Sequence, residues 1–162
     1  MHLNYGKLKR HRDNMEESLE DIREILVELS KEDFTGKETF LMKVSIDSFR
    51  ISLVRLREEL FGAVGSILKS SNIRVSDFSS NKDFVKKCID LGYFREIPEE
   101  FIRDLNRYRN EAAYRYKVPK FFGTHEFYIN NEKYFRQIIE DITAILDKQY
   151  KNSKNVKNLD IF

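Results

Sequence analysis

Residues 40–70 read FLMKVSIDSFRISLVRLREELFGAVGSILKS, and the spacing of their apolar side chains decides the fold. Ile46, Phe49, Leu53, Leu56, Leu60, Val64 and Ile67 follow one another in steps of three and four. That alternation lines them along one side of an α-helix, which turns once in about 3.6 residues. Phe40, Val44, Ile51, Val54, Phe61 and Leu68 widen the stripe, so the helix is expected to be central and touched on two sides. Ser70-Ser71-Asn72 is a polar cluster that ends it.

The same periodicity extends outward in both directions. Met15, Leu19, Ile22, Leu26 and Leu29 form the stripe of an earlier helix, expected from about Leu8 to Ser30, with Glu16, Glu17, Arg23 and Glu24 on its other face. Asp33-Phe34-Thr35-Gly36 breaks the period. After an unpatterned stretch from Arg74 to Ser80, Ser80-Asn81-Lys82-Asp83 can cap a short helix carrying Phe84, Val85, Cys88 and Ile89, which Gly92 closes. Ile97-Pro98-Glu99-Glu100 starts another helix, with proline in the first turn and two acids at the positive end of the dipole. Phe101, Leu105, Tyr108 and Ala112 are its inner face, and Val118-Pro119 with Gly123-Thr124 mark a loop. A last helix is expected from about Glu126 to Tyr150, followed by a polar stretch that frays. No segment alternates with the period of two that a strand needs. The expectation is an all-α up-and-down bundle of about five helices, a single domain over residues 1–150 with a polar tail over 151–162. Its core is expected to hold Leu19, Ile22, Leu26, Leu53, Leu56, Leu60, Leu105 and Ile142.

Composition narrows the function classes. With 162 residues, 41% apolar and 35% charged, the chain can build one substantial core, and 6 Gly and 2 Pro suit long helices. The formal net charge of +2 is too small to imply a nucleic-acid partner, so only a local basic patch could. The one cysteine, Cys88, excludes an intramolecular disulfide and is read as a small apolar group on a helix. The start of the chain lacks the apolar centre of a signal peptide, and no run approaches the ~20 apolar residues of a membrane span. The expected location is the cytosol. His2, His11 and His125 are scattered without a partner His one turn away, so no metal site is expected. No cofactor-binding motif is present either, and the expected cofactor set is empty.

The chemically richest stretch is Asn106-Arg107-Tyr108-Arg109-Asn110-Glu111-Ala112-Ala113-Tyr114-Arg115-Tyr116, where the apolar stripe of the fourth helix gives way to Arg, Asn and Tyr. Arg109 and Tyr116 are seven apart and Asn110 and Tyr114 four apart, which makes each pair neighbours on a continuing helix. Arg103, Arg107, Arg109, Arg115, Lys117 and Lys120 add a basic cluster. Guanidinium groups, an amide and phenols at one helix end can hold a phosphate and stack bases. A plainer reading stands beside this: basic residues in a last turn suit the negative dipole end, and tyrosines pack. His125 in the following loop could supply an imidazole, and Asp47 on the second helix could pair with one of these arginines.

The motif resembles the signature of the HEPN superfamily, specifically its HepT-like branch. There an Arg-Asn pair is followed at fixed spacing by His, and two residues later by Tyr. Arg109 and Asn110 match the pair and Tyr116 the trailing Tyr, whereas Tyr114 stands at the His position. The similarity extends over the helical order from Phe61 to Tyr116. It implies a metal-independent ribonuclease toxin working as a homodimer, with motif helices facing across a cleft. Arg109 would neutralise the phosphate, Asn110 would orient the site, and the residue at position 114 would handle the proton. A phenol with an ordinary pKa near ~10 is a poor base at neutral pH, so the resemblance with this substitution implies attenuated catalysis and retained RNA binding. Arg103, Arg107, Arg109, Arg115 and Lys117 are the expected RNA-binding residues. The branch also implies a nucleotidyltransferase antitoxin as partner, with Tyr116 as the adenylate acceptor and Tyr114, Tyr108 and Tyr128 as alternatives.

Overall fold

The computed structural model describes residues 3–33, 35–74, 76, 80–113 and 121–159. They form five α-helices in chain order: α1 (Tyr5–Leu29), α2 (Phe40–Ser70), α3 (Asn81–Asp90), α4 (Glu99–Ala113) and α5 (Phe121–Leu159). Among the described residues there is no strand, so the all-α bundle read from the sequence is the observed architecture.

Local chemistry sets the ends of the helices. The Asn4 side chain accepts a hydrogen bond from the Lys7 amide at 3.0 Å and starts α1 about one turn before the expected Leu8. Thr39 does the same for α2 through the Met42 amide at 3.1 Å. The ends of α2 and α3 close in one way. Asn72 (φ 60°) and Gly92 (φ 80°) adopt the left-handed conformation. The amides of Ile73 and Tyr93 reach back to the carbonyls of Leu68 and Cys88, at 3.0 and 2.9 Å. This doubly bonded turn satisfies carbonyls that a helix end leaves orphaned. Pro98 lies just before α4, and its carbonyl accepts from the Phe101 amide at 3.2 Å.

The last helix is longer at both ends than the sequence suggested. Gly123 and Thr124, expected in a loop, are helical; Thr124 is buried, and the Gly123 carbonyl accepts a hydrogen bond from the Tyr108 hydroxyl of α4 at 3.2 Å. His125 therefore belongs to α5, not to a loop. At the far end the helix runs on through residues 151–154 to Leu159, where fraying was expected. That segment contains no glycine or proline to stop it, and Lys154 lies over the Tyr150 ring one turn back.

The core is built mainly by α1, α2 and α5. Helix α1 packs antiparallel along α2, and Gly62 of α2 faces the His11 ring of α1. A Cβ there would stand 2.5 Å from Cε1 of His11, whose Nδ1 pairs with Glu59 at 2.6 Å. Helix α5 lies against α1, with Arg12 donating to Thr143 at 3.4 Å. Arg95, just before α4, is tied to α5 through its amide and side chain, both on the Asp141 carboxylate at 3.0 and 2.8 Å. Seven of the eight expected core residues are buried, and Leu26 is half-buried. Cys88 is buried on α3, and burial pushes its thiol up to about 12, in keeping with an apolar packing role.

One expectation about α2 is corrected. Leu68 is buried and Phe61 and Val54 are half-buried, but Phe40 is 83% exposed, and Val44 and Ile51 are exposed with it. The amino-terminal half of α2 is touched on one side only. Periodicity reveals an apolar line, not whether another helix covers it.

Two substitutions test this packing. Leu56→Ala, which empties a fully buried site, should cost about 2–5 kcal/mol in urea unfolding. Gly62→Ala, normally favourable in a helix, should instead destabilise by about 1–3 kcal/mol because His11 must move.

Candidate nucleic-acid interface on helix α4

Five of the residues singled out in the sequence, Tyr114, Arg115, Tyr116, Lys117 and Lys120, lie outside the described residues. The described part of the motif is Asn106 to Ala113 on the last turns of α4. Here Arg109 and Asn110 are joined, Arg109 Nη1 donating to Asn110 Oδ1 at 3.2 Å. Arg109 Nε donates to Glu58 Oε1 on α2 at 3.0 Å, and this carboxylate, not Asp47, is the acidic partner. Asp47 pairs with Arg50 on its own helix at 3.2 Å.

The described basic residues of the motif, Arg103, Arg107 and Arg109, do not form one patch. Arg103 and Arg107 are exposed and straddle Asp104, at 3.6 and 3.7 Å from its Oδ1. At about 100° per residue, Arg103, Arg107 and Asn110 share one line of α4, whereas Arg109 is turned well away from Arg107. Arg107 also sits 4.9 Å over the Tyr108 ring. Arg109 thus belongs with α2, and Arg103 and Arg107 with the open face of α4.

A residue absent from the sequence reading completes the α2 side. Arg57 donates through Nε and Nη2 to Asn106 Oδ1 at 3.0 and 2.9 Å, and its guanidinium lies 4.5 Å over the Phe61 ring. Its Nη1 donates to Glu58 Oε1 at 3.0 Å, the same oxygen that Arg109 Nε reaches. Only 14% of the Arg57 side chain is exposed, against 37% for Arg109 and 47% for Glu58. Two guanidinium groups from different helices therefore converge on one half-exposed carboxylate. The signal in the sequence was one of three arginines on α2, forty-nine positions from Asn106, and periodicity alone does not connect the two.

The alternative acceptor tyrosines differ in access. Tyr128 is buried in the core against Phe49 and Phe135. Burial, with the Glu132 carboxylate adding and Arg136 opposing, raises its phenol well above the usual range. That position corrects its reading as a modification site. Tyr108 is half-buried, its hydroxyl committed to Gly123. His11 is held between α1 and α2, and among the described residues no three His, Cys, Asp or Glu side chains gather as metal ligands. A cavity of about 620 Å³, between the end of α2, the segment before α4 and the late turns of α5, is lined by Ile67, Phe94, Arg95 and Lys148 and by none of the described motif residues.

Compared with known protein families, with curated proteins and with solved structures, the chain matches none. Among the described residues no helix is long and apolar enough to cross a membrane.

The Arg109–Glu58 pair is exposed, and such pairs contribute ~0–1 kcal/mol. Arg109→Ala should therefore leave the urea midpoint almost unchanged. A large loss of stability would make the pair a structural tie instead of a surface contact.

Proposed function

We propose that this chain is a HEPN-type, RNA-targeting toxin component of a toxin-antitoxin pair with a nucleotidyltransferase. It would act in the cytoplasm as a metal-independent endoribonuclease of attenuated activity. The observation that carries the reading is the Arg109–Asn110 pair, adjacent and solvent-accessible near the end of α4. In the proposed reaction the ribose 2′-hydroxyl gives up its proton as its oxygen bonds to the adjacent phosphorus, the bond to the 5′-oxygen breaks, and that oxygen takes up a proton, leaving a 2′,3′-cyclic phosphate. Charge grows on the non-bridging oxygens, where Arg109 would stabilise it, a contribution worth several kcal/mol in comparable sites. Asn110 would hold the guanidinium in register. Tyr114 at the proton-handling position is what attenuates the rate, because a neutral phenol removes a proton poorly near pH 7.

The same substitution favours a second reading, a non-catalytic RNA-binding or protein-interaction module. Under either reading Tyr116 is the proposed acceptor for adenylate from the partner enzyme. Arg103, Arg107, Arg115 and Lys117 would contact backbone phosphates.

A homodimer fits both readings. The exposed Phe40, Val44 and Ile51 lie within about 40° of Glu58 around α2, so one line of the helix carries an uncovered apolar stripe and the acidic partner of Arg109. An isologous contact along that line would bring two copies of Arg109 toward a shared cleft. Light scattering should report a dimer at micromolar concentration, and Phe40→Asp with Ile51→Asp should yield a folded monomer. A wild-type monomer would remove the composite cleft.

Cleavage is tested on mixed RNAs in the presence of EDTA. Weak cleavage by the wild type, raised by Tyr114→His and lost with Arg109→Ala, is the expected pattern. Equal rates for wild type and Tyr114→His would make Tyr114 a working catalytic group. RNA binding without cleavage in both proteins would select the non-catalytic module.

A further inference from the structure

We infer that Arg57 and Arg109 form a two-guanidinium clamp for an RNA phosphodiester, and that the Glu58 carboxylate occupies this clamp until RNA displaces it. The inference rests on the RNA-binding reading of Arg109 and adds a residue and a regulating contact to it. Arg57 is the fixed jaw. Asn106 accepts from its Nε and Nη2, Phe61 backs its face, and its Nη1 donates to Glu58 Oε1. Arg109 is the more exposed jaw, reaching the same oxygen through Nε from α4. A carboxylate and a phosphodiester both offer anionic oxygens to guanidinium donors, so what holds Glu58 will hold a phosphate in its place.

Glu58 suits the role of a displaceable occupant. It is nearly half exposed, so it can swing into water without a large desolvation change, while Arg57 is mostly enclosed and cannot. Exposed carboxylate–arginine pairs are weak, and a strand that offers several phosphates at once outcompetes a single side chain. The carboxylate would thereby suppress binding of isolated anions and favour a polymer. Arg109 and Asn110 remain linked throughout, which keeps the motif pair oriented while the clamp is closed on Glu58.

The test is fluorescence anisotropy with a labelled twelve-nucleotide oligouridylate, followed across a salt series. Glu58→Gln keeps the shape and removes the charge, and it should tighten binding about tenfold and steepen the salt dependence by roughly one phosphate contact. Glu28→Gln, at a remote exposed carboxylate paired with Lys31, should change affinity by less than about twofold, which separates the clamp from net charge. The gain in Glu58→Gln should vanish when Arg57→Gln is added, with the helical circular dichroism of each variant confirming the fold. Wild-type binding that Arg109→Ala abolishes, with no gain in Glu58→Gln, would overturn the clamp and leave the RNA-binding reading intact. A gain that survives Arg57→Gln, or is matched by Glu28→Gln, would overturn it as well. Absence of binding by wild type and Glu58→Gln alike would overturn both the clamp and the RNA-binding reading.

Discussion

Gly62 leaves room for the His11 ring at the distance at which α1 lies along α2, and the rest of the bundle is built on that pair of helices. Any side chain there would run into the His11 ring, which instead fills the space and holds Glu59 through Nδ1. With the two helices at that distance, Met15, Leu19 and Ile22 from one and Phe49, Leu53 and Leu56 from the other enter a single core. Helix α5 then closes over the pair, bringing Phe135, Ile138 and Ile142, and Arg12 meets Thr143 across the seam. The ring is held on one side only: Nδ1 meets the Glu59 carboxylate of α2, while Nε2 is buried without a hydrogen-bond partner among the described residues.

The position of α4 follows from this frame. Phe101 and Leu105 anchor it in the core, Phe101 packing against Phe135 edge-on with centroids 4.9 Å apart. The outer side of the helix is then aimed by polar contacts: Asn106 toward Arg57, Arg109 toward Glu58, Tyr108 toward the Gly123 carbonyl. The apolar side determines where the helix sits, and the amides and guanidiniums determine which way its motif faces. This division separates Arg109 from Arg107, although two positions apart in sequence they look like one basic cluster.

How much of this could be read beforehand depended on whether the cause was local. The stripe from Ile46 to Ile67 and the stop at Gly92 are local, because a buried helix face and a left-handed turn each leave a mark within a few residues. Asn72 does the same work as Gly92 but leaves a weaker mark, since asparagine is common in many kinds of turn. Gly123 misled for the opposite reason. Glycine ordinarily signals a loop, yet here it sits inside α5, beside the Tyr108 hydroxyl. The exposed Phe40, Val44 and Ile51 carry the same period as the buried residues that follow them, so only the three-dimensional arrangement shows that their line is uncovered. Within the candidate site, the Arg109–Asn110 pair was visible because the partners are adjacent. Arg57 was not, because what gives it meaning is an amide on another helix.

Cys88 lends itself to a different use. It is the one thiol in the chain, it is fully enclosed, and its own carbonyl closes the end of α3 by accepting the amides of Tyr93 and Phe94. Burial pushes the thiol up, so the reactive thiolate is scarce while the chain is folded. A thiol reagent therefore reacts appreciably only with molecules in which α3 has left α2. The rate of labelling becomes a count of those openings, made under native conditions and without denaturant, and α3 serves as a built-in clock for the breathing of the bundle.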